Sequence, residues 1–490
     1  MRLRLRDFLF RRYSLALLFL AAGFVLASCS GVRSGACVVN CSSGATVSLV
    51  LTATPPPPSS QLSVQAFAAT ITGVSLTPSS GGNPVAVTLT SNSYIAEFNR
   101  VTSDSTLLAS KASVPAGSYS ALVVTFSAPR VTYCTQASPG VPGCTAGSIA
   151  SVTGAAGSVT INTTITVASN QLNAFAIKTN LGAAISQTGQ TITRVDLTVT
   201  NALSVSALPS SANDLASGKL AHIDDVMGVV SSVSGSTVAI ETATRGTITA
   251  TANSSTVYDC AAANSTCVKA NQIAVMDAVL NSDGSLTLTF FEPIMSIADL
   301  IEGTVVTVPN SVSNQMTVVV TDTAFNTGGS VLNGRINPGD QVVVTLSGSI
   351  QPFSVVDKGL GPTLPVNNFN NSTSISTIQP GMTVAFPVAT FTAQSGTTPG
   401  STSTNVFLLR LTRLTAVMSA PSLPDFSANT FPPYFGLTTP EQLRTTSGRL
   451  SVDGAATLTA IPVGSAFSTS VLYLGTPAVP LFAAQSVRAH

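Results

Sequence analysis

The side chains best suited to chemistry in this 490-residue chain are seven cysteines, two histidines and 20 acidic residues. A serine hydrolase needs a histidine within reach of its nucleophile. His222 lies in "KLAHIDD" and His490 is the last residue, and neither has a Gly-x-Ser-x-Gly context. His222 reads as a solvated boundary residue beside Asp224 and Asp225. A glycosidase needs two carboxylates across a cleft. The acids are numerous enough for a pair to meet in space, but strand-borne ones such as Asp196 look isolated. Most others sit in turns, where Asp supports the backbone geometry. "NSDG" (281–284) lacks the further carboxylates of a calcium site and reads as a hairpin turn. Gly359-Leu360-Gly361 is followed by Pro362, not by the rest of a dinucleotide loop. The sequence therefore assigns no catalytic residue, no metal site and no cofactor.

Six of the cysteines fall into close pairs: Cys37 with Cys41, Cys134 with Cys144, and Cys260 with Cys267. Metal binding would favour Cys-x-x-Cys spacing or nearby histidines, and neither occurs. In an exported chain such local pairs read as disulfides. The pair at 37 and 41 lies in a tether-like stretch.

Cys29 is left over, and the residues before it say why. The chain opens "MRLRLRDFLFRRYSLALLFLAAGFVLASC": five arginines, an apolar run from Leu15 to Ala27, then small residues. That is the layout of a secretory signal peptide, and the apolar run is shorter than the ~20 residues of a membrane-spanning helix. Leu26-Ala27-Ser28-Cys29 resembles the lipobox of bacterial lipoproteins. The resemblance implies cleavage before Cys29, acylation of that cysteine and attachment to a membrane. Ser30, in place of a retention Asp, favours the outer membrane, with the chain on its periplasmic or surface side.

Loss of the leader takes the 21 basic and 20 acidic residues to 16 and 19, a net charge of about −3. Only 8 % of the chain is charged and no run of charge occurs along it. Nucleic-acid binding needs a basic footprint, so no nucleic-acid partner is expected.

The elements that must carry these residues are strands. In "VTINTTITV" (159–167) Val159, Ile161, Ile165 and Val167 alternate with Thr160, Asn162, Thr164 and Thr166. "VAVTLT" and "ALVVTF" repeat the pattern, and Ser234-Gly235, Asp283-Gly284 and Asp453-Gly454 mark turns. The expected fold is all-β: an N-terminal β-sandwich followed by several small β-barrel-like modules. The expected division is a signal peptide (1–28), a tether (29–44), the sandwich (45–208), a linker (209–222) and modules at 223–297, 298–414 and 415–490, the last two irregular. The modules rest on two recurrences. "MGVVSSVSGSTVAIET" matches "EGTVVTVPNSVSNQMTVVVTD", and "IAVMDAVL", "INPGDQVVVTL", "IQPGMTVAFPV" and "IPVGSAFSTSV" share an Ile, a turn and a strand.

Residues 45–205 resemble the bacterial family known as domain of unknown function 4382, through "VSLVLTATPPPP", "FAATITGVSLTP" and "VPAGSYSALVVTFSAPRVTYC". The C-terminal modules resemble domain of unknown function 5666, through "GVVSSVSGSTVAIET" and the Pro-Gly turns. The first resemblance implies a strand ending in a Pro-rich loop that leads to a long second strand. Together they imply a secreted or surface β protein with no catalytic residues to carry over.

The expected function is that of a membrane-anchored lipoprotein with a structural, adhesive or protein-interaction role, and not an enzyme. A ligand- or glycan-binding module is the alternative, with "FPPYFG" (431–436) as either its exposed loop or an apolar plug, and a polysaccharide hydrolase comes third.

Overall fold

Alternation of β-branched residues with Thr and Ser does produce strands. A computed structural model describes residues 45–490 except 136–139, 145–147, 210–218, 297, 327, 361–362, 447–449 and 477. The signal peptide, Cys29, the tether, Cys37 and Cys41 lie outside the described residues, as does most of the expected linker. Among the described residues no helix is long and apolar enough to cross a membrane.

The first part contains β1 (Ala45–Thr54), β2 (Leu62–Pro78), β3 (Val85–Val87), β4 (Tyr94–Glu97), β5 (Thr106–Val114), β6 (Gly117–Phe126), β7 (Arg130–Thr135), β8 (Ile149–Thr153), β9 (Gly157–Val167), β10 (Leu172–Asn180), β11 (Ile185–Thr188), β12 (Thr191–Val195) and β13 (Leu203–Ala207). One sheet runs β13-β10-β1-β5. A second runs β8-β7-β2-β6-β9, with β3 and β4 also on β2, and β11-β12 form a separate hairpin. The two large sheets enclose one core: Leu49 and Ile177 from the first meet Phe67, Leu122 and Ile165 from the second. The other face of the first sheet is covered too, because Val50, Leu107 and Ala174 pack into the next part of the chain. Burial on both faces explains why Val47 to Leu51 are all buried, the small polar Ser48 among them. Pro55–Pro58 separate β1 from the 17-residue β2.

Next come β14 (Lys219–Ser234), β15 (Thr237–Thr242), β16 (Gly246–Tyr258), β17 (Gln272–Asn281) and β18 (Leu286–Ser296), which close into a barrel in the order β14-β15-β16-β18-β17. β16 and β18 are parallel and the other neighbours antiparallel. Residues 219–222, placed in a linker by their polar side chains, are strand instead: Lys219, Ala221 and His222 pair with Asn281, Leu280 and Val279. Partners sixty residues away supply the ladder that the local sequence conceals.

This topology recurs twice. In β19 (Leu300–Val305), β20 (Gln315–Ala324), β21 (Gln341–Leu346), β22 (Ser354–Val355), β23 (Thr383–Pro387), β24 (Gly400–Thr404) and β25 (Leu408–Arg410), which form the seven-stranded order β22-β25-β23-β19-β20-β21-β24, β19 pairs with β20 and with β23; β22 is an addition beside β25, so β23 takes the fourth strand's place. Here β24 and β25 share the fifth strand's role, β24 running parallel to β21 and β25 antiparallel to β23. In β26 (Thr412–Ala420), β27 (Phe426–Asn429), β28 (Glu441–Thr445), β29 (Ser451–Asp453), β30 (Ala466–Thr476) and β31 (Val479–Ala489), the parallel closing pair is β28–β31. A five-stranded Greek-key barrel of this kind is the OB type, a fold that hosts many functions.

One backbone hydrogen bond fixes the correspondence. Asn271, Gly381 and Gly464 have left-handed φ of +61°, +92° and +86°. Their N–H groups donate to the carbonyls of Val230, Val305 and Met418 on the first strand of each barrel. Two residues earlier the strands carry Gly228, Gly303 and Ala416. A Cβ at Gly228 would lie 2.4 Å from the Glu241 carbonyl oxygen, and one at Gly303 would lie 2.7 Å from that of Val319. Three of the four Ile-turn-strand motifs thus introduce the fourth strand of a barrel. The fourth motif, "INPGDQVVVTL", introduces β21, a third strand. The second and third barrels share a continuous core, and the described residues belong to one compact unit, Ser43–His490.

Candidate functional site

Counting back five residues from Val230, Val305 and Met418 gives Asp225, Leu300 and Arg413; counting back three gives Met227, Glu302 and Thr415. The entry ends of the first barrel strands therefore converge, and they carry charge into the interior. Asp225 is the centre. Its Oδ1 accepts from Arg410 Nη2 at 3.0 Å, and its Oδ2 accepts from Arg100 Nη2 at 3.2 Å and from Arg413 Nη2. Its own N–H donates to Asp277 Oδ1 at 2.6 Å, which also takes Lys358 Nζ at 2.8 Å. Arg410 Nε donates to Glu302 at 2.9 Å. Asp322 accepts from Arg100 at 2.6 Å and from Arg245 at 2.7 Å. Asp104 accepts from Arg413 Nε at 2.5 Å and from Ser470 at 3.0 Å.

All four parts of the chain contribute: Arg100 and Asp104 from the sandwich, Asp225, Arg245 and Asp277 from the first barrel, Glu302, Asp322, Lys358 and Arg410 from the second, and Arg413 from the third. Arg410 is fully buried, and Arg100, Asp225, Glu302 and Lys358 are at most 5 % exposed. Asp225 and Lys358 both have left-handed backbone, φ +52° and +51°. Such a conformation costs a non-glycine residue roughly 1–3 kcal/mol and persists only where the surroundings over-determine it. Here four bases hold the one and two acids the other.

Electrostatics sort the carboxyls into two sets. Burial works to raise Asp225, but Arg410, Arg413, Lys358 and Arg100 outweigh it and hold the group well below the usual range. Asp104 is lowered in the same way by Arg413 and Arg100 against burial. Glu97, Asp224 and Glu292 behave oppositely. Burial pushes Glu97 up to about 7, against the N–H groups of Phe67, Arg100 and Asn99. Burial, Asp277 and Asp104 push Asp224 up to about 8, and burial, opposed by Arg410 and reinforced by Asp259 and Asp357, pushes Glu292 up to about 8. On the basic side burial is overcome at Lys358, Arg410 and Arg413, all of which are raised by the surrounding carboxylates.

One edge of the junction opens into a cleft roofed by Pro55–Pro58 and lined by Glu97, Thr304, Thr383, Arg413 and Tyr434. Glu97 is the titratable acid there, but both of its oxygens already accept backbone N–H bonds, from Phe67 (2.8 Å), Asn99 (3.1 Å) and Arg100 (2.5 Å). It anchors the 3-10 turn Arg100–Thr102, and backbone N–H groups already fill three of the roughly four acceptor sites of its carboxylate. Arg413 on the same wall is committed to Asp104 and Asp225. The arrangement is suited to cohesion between parts of the chain.

Elsewhere the sequence candidates fall as follows. His490 is exposed and sets its Nε2 2.9 Å from Oγ of the fully buried Ser468; desolvation of the ring lowers the histidine to about 3, so it is uncharged. His222 is exposed on β14. Asp196 is not isolated: it accepts from Arg194 and from Thr198. Asp283-Gly284 is a turn between β17 and β18. Asp259, Glu292 and Asp357 each bring a carboxylate oxygen within 4.8 Å of the others, which is where a cation would find three ligands. "FPPYFG" is packed inside: Phe431, Tyr434 and Phe435 are buried, with Phe435 edge-on to Tyr473 at 5.0 Å and to Phe482 at 5.6 Å. Cys134–Cys144 and Cys260–Cys267 are disulfides, with Cα atoms 5.8 and 6.5 Å apart.

The junction is what the sequence reading missed. The acids were expected in turns, yet Asp225, Asp277, Glu292, Glu302 and Asp322 lie on strands and meet. A signal was present: Asp277, Glu292, Glu302 and Asp322 each interrupt a largely apolar strand run, as in "IAVMDAVL" and "LIEGTVV". A charge in such a run must find a partner or lose its charge.

No family model matches the chain, and no curated protein matches it. Among solved structures, one described as "drosophila Unr CSD456" aligns over 54 % of this chain and 97 % of its own at 8 % identity, with a TM-score of 0.12. A score that low carries no argument.

Proposed function

We propose that this protein is a membrane-anchored extracytoplasmic lipoprotein that presents a stiff, four-part β scaffold for contact with another macromolecule, and that it does no catalysis. The observation that carries the reading is the buried ionic junction. Its bases are spent on internal carboxylates, and its partners come from every part of the chain. Truncating one member of such a network leaves a buried charge exposed to low dielectric, so the parts are held in one arrangement. Lipid on Cys29 would place that scaffold at the outer membrane, with at least two chains needed for stable anchoring. The glycan-binding alternative drew its support from the aromatic loop, whose rings are turned into the core.

The test of the non-catalytic reading is turnover by detergent-solubilised full-length protein on panels of polysaccharides, esters and peptides. The reading expects none. Turnover that disappears in Glu97→Gln, the one acid of the cleft with a midpoint near neutrality, would overturn it.

A further inference from the structure

A sheet edge presents a row of backbone N–H and C=O groups to which another strand can add. Among the described residues most edges of this protein are short, interrupted or covered. β8, β12, β13 and β24 have five residues each, and β3, β4, β11, β22 and β29 have two to four. β5 has nine, but Lys111 breaks it with a left-handed φ of +47°, and its Leu108 carbonyl receives the Thr90 N–H. β9 is different. It has eleven residues, stands at the end of its sheet, and among the described residues pairs with β6 alone. From Gly157 to Asn162 it keeps unbroken register with β6, opposite Phe126 to Ala121. Neither strand contains a charged residue or a proline, and no charge occurs from Val131 to Ile177.

We propose that β9 is a self-association edge: its Gly157–Asn162 stretch pairs antiparallel with the same stretch of a second copy of this chain, about a two-fold axis perpendicular to the sheet.

The charge pattern selects the occupant. A two-fold axis sets a strand against itself, so any charge on the edge meets its own like and opposes the pairing. Natural edges are guarded by lysine, proline, bulges or brevity. β9 has no such guard over its regular stretch, because its register shift falls later, between Asn162 and Ile165. With Thr160 on the axis, Val159 of each copy stands opposite Ile161 of the other, since directly opposed side chains share a face. Val159 and Ile161 pack on the sandwich core but are only half-buried, whereas Ile165 and Val167 further along are fully covered. A second copy continues the sandwich and covers the two half-exposed side chains. Ser158, Thr160 and Asn162 line the exposed face, where Ser158 Oγ lies 3.0 Å from Thr125 Oγ1 on β6. Small polar groups of this kind pair across strands without repulsion. The inference stands on this edge alone and does not depend on the lipid anchor.

The experiment is sedimentation equilibrium of full-length protein in density-matched detergent at micromolar concentration. Wild type should show twice the mass of one chain. Thr160→Lys, which brings two ammonium groups together on the axis, should show the mass of one chain with an unchanged circular dichroism spectrum. Thr160→Cys supplies a second readout that does not rest on a disrupted interface. After mild oxidation it should run as a covalent dimer on a non-reducing gel, linked through position 160 in both chains, while Thr251→Cys, at an exposed site on β16, should not. A single-chain mass for wild type, a dimer that persists in Thr160→Lys, or a link at 160 no more frequent than at 251 would each overturn the proposal. A single-chain mass with the β9 amides protected from hydrogen exchange would overturn it as well, and would give the edge to another segment of the same chain.

Discussion

Arg410 Nη2 of the second barrel lies 3.0 Å from Asp225 of the first, and its Nε lies 2.9 Å from Glu302. Neither residue of the pair touches water to a useful extent, at 0 % and 2 % exposure. Arg410→Met should therefore destabilise the chain by roughly 3–5 kcal/mol, the usual cost of leaving a buried charge without its partner. Arg410→Lys should recover only part of that, because an ammonium cannot span two carboxylates as a planar fork does. Urea midpoints of the two variants against wild type give the comparison, and a midpoint unchanged in Arg410→Met would remove the junction from the stability account.

The repeated barrels make a prediction about glycine. Gly303→Ala would drive a methyl to 2.7 Å from the Val319 carbonyl, and Gly228→Ala to 2.4 Å from that of Glu241. Each should cost roughly 1–3 kcal/mol through displaced backbone. Gly73→Ala on β2, where nothing lies within 4 Å of the added atom, should stay within about 0.5 kcal/mol of wild type. Thermal melts of the three variants decide whether the close approach between first and second strands is a shared constraint.

Acid should unlock the junction. Asp225 and Asp104 are held below their ordinary midpoints by arginines, so they add stability above the unfolded midpoint near 4 and lose it as pH falls through their folded values. Stability should fall on acidification below about pH 4, and Asp225→Asn should flatten that limb while lowering stability at pH 6. A limb of unchanged steepness in the variant would assign acid unfolding to other groups.

Much of the architecture was written in the alternation. "VTINTTITV" forms the C-terminal part of β9 with Ile165 and Val167 buried and Thr160, Asn162, Thr164 and Thr166 exposed, and "ALVVTF" buries Leu122, Val124 and Phe126 on β6. These are local period-two patterns, which a strand obeys whatever its partner. The turn glycines Gly235, Gly284 and Gly454 indeed take left-handed φ. What the sequence could not display is pairing at a distance. Asp104 and Arg413 are 309 positions apart, and Arg100 and Asp322 are 222 apart. Each looks like an ordinary polar residue until the fold removes the water around it. The same holds for residues 219–222, whose strand character comes from β17.

The two described disulfides differ in what they hold. Cys134 is buried at the end of β7, and Cys144 packs into the core shared by the second and third barrels, its N–H on the Val306 carbonyl. The Cys260–Cys267 pair sits in an exposed loop ahead of β17. Mass mapping without reduction should find Cys134 linked to Cys144 and Cys260 to Cys267. Replacing the first pair by alanines should cost roughly 2–3 kcal/mol in chain entropy plus lost packing at the barrel contact, whereas the second should pin only its own loop. Crossed links or free thiols would contradict both assignments.

The reading as an anchored scaffold depends on Cys29, and labelling with a fatty-acid probe in a diderm bacterium expressing the full chain tests it most directly. The account predicts that wild type incorporates the probe and sediments with the outer membrane, and that Cys29→Ala remains unprocessed and unlabelled. A wild-type chain that never takes up the label, or one that takes it up equally well as Cys29→Ala, would contradict it.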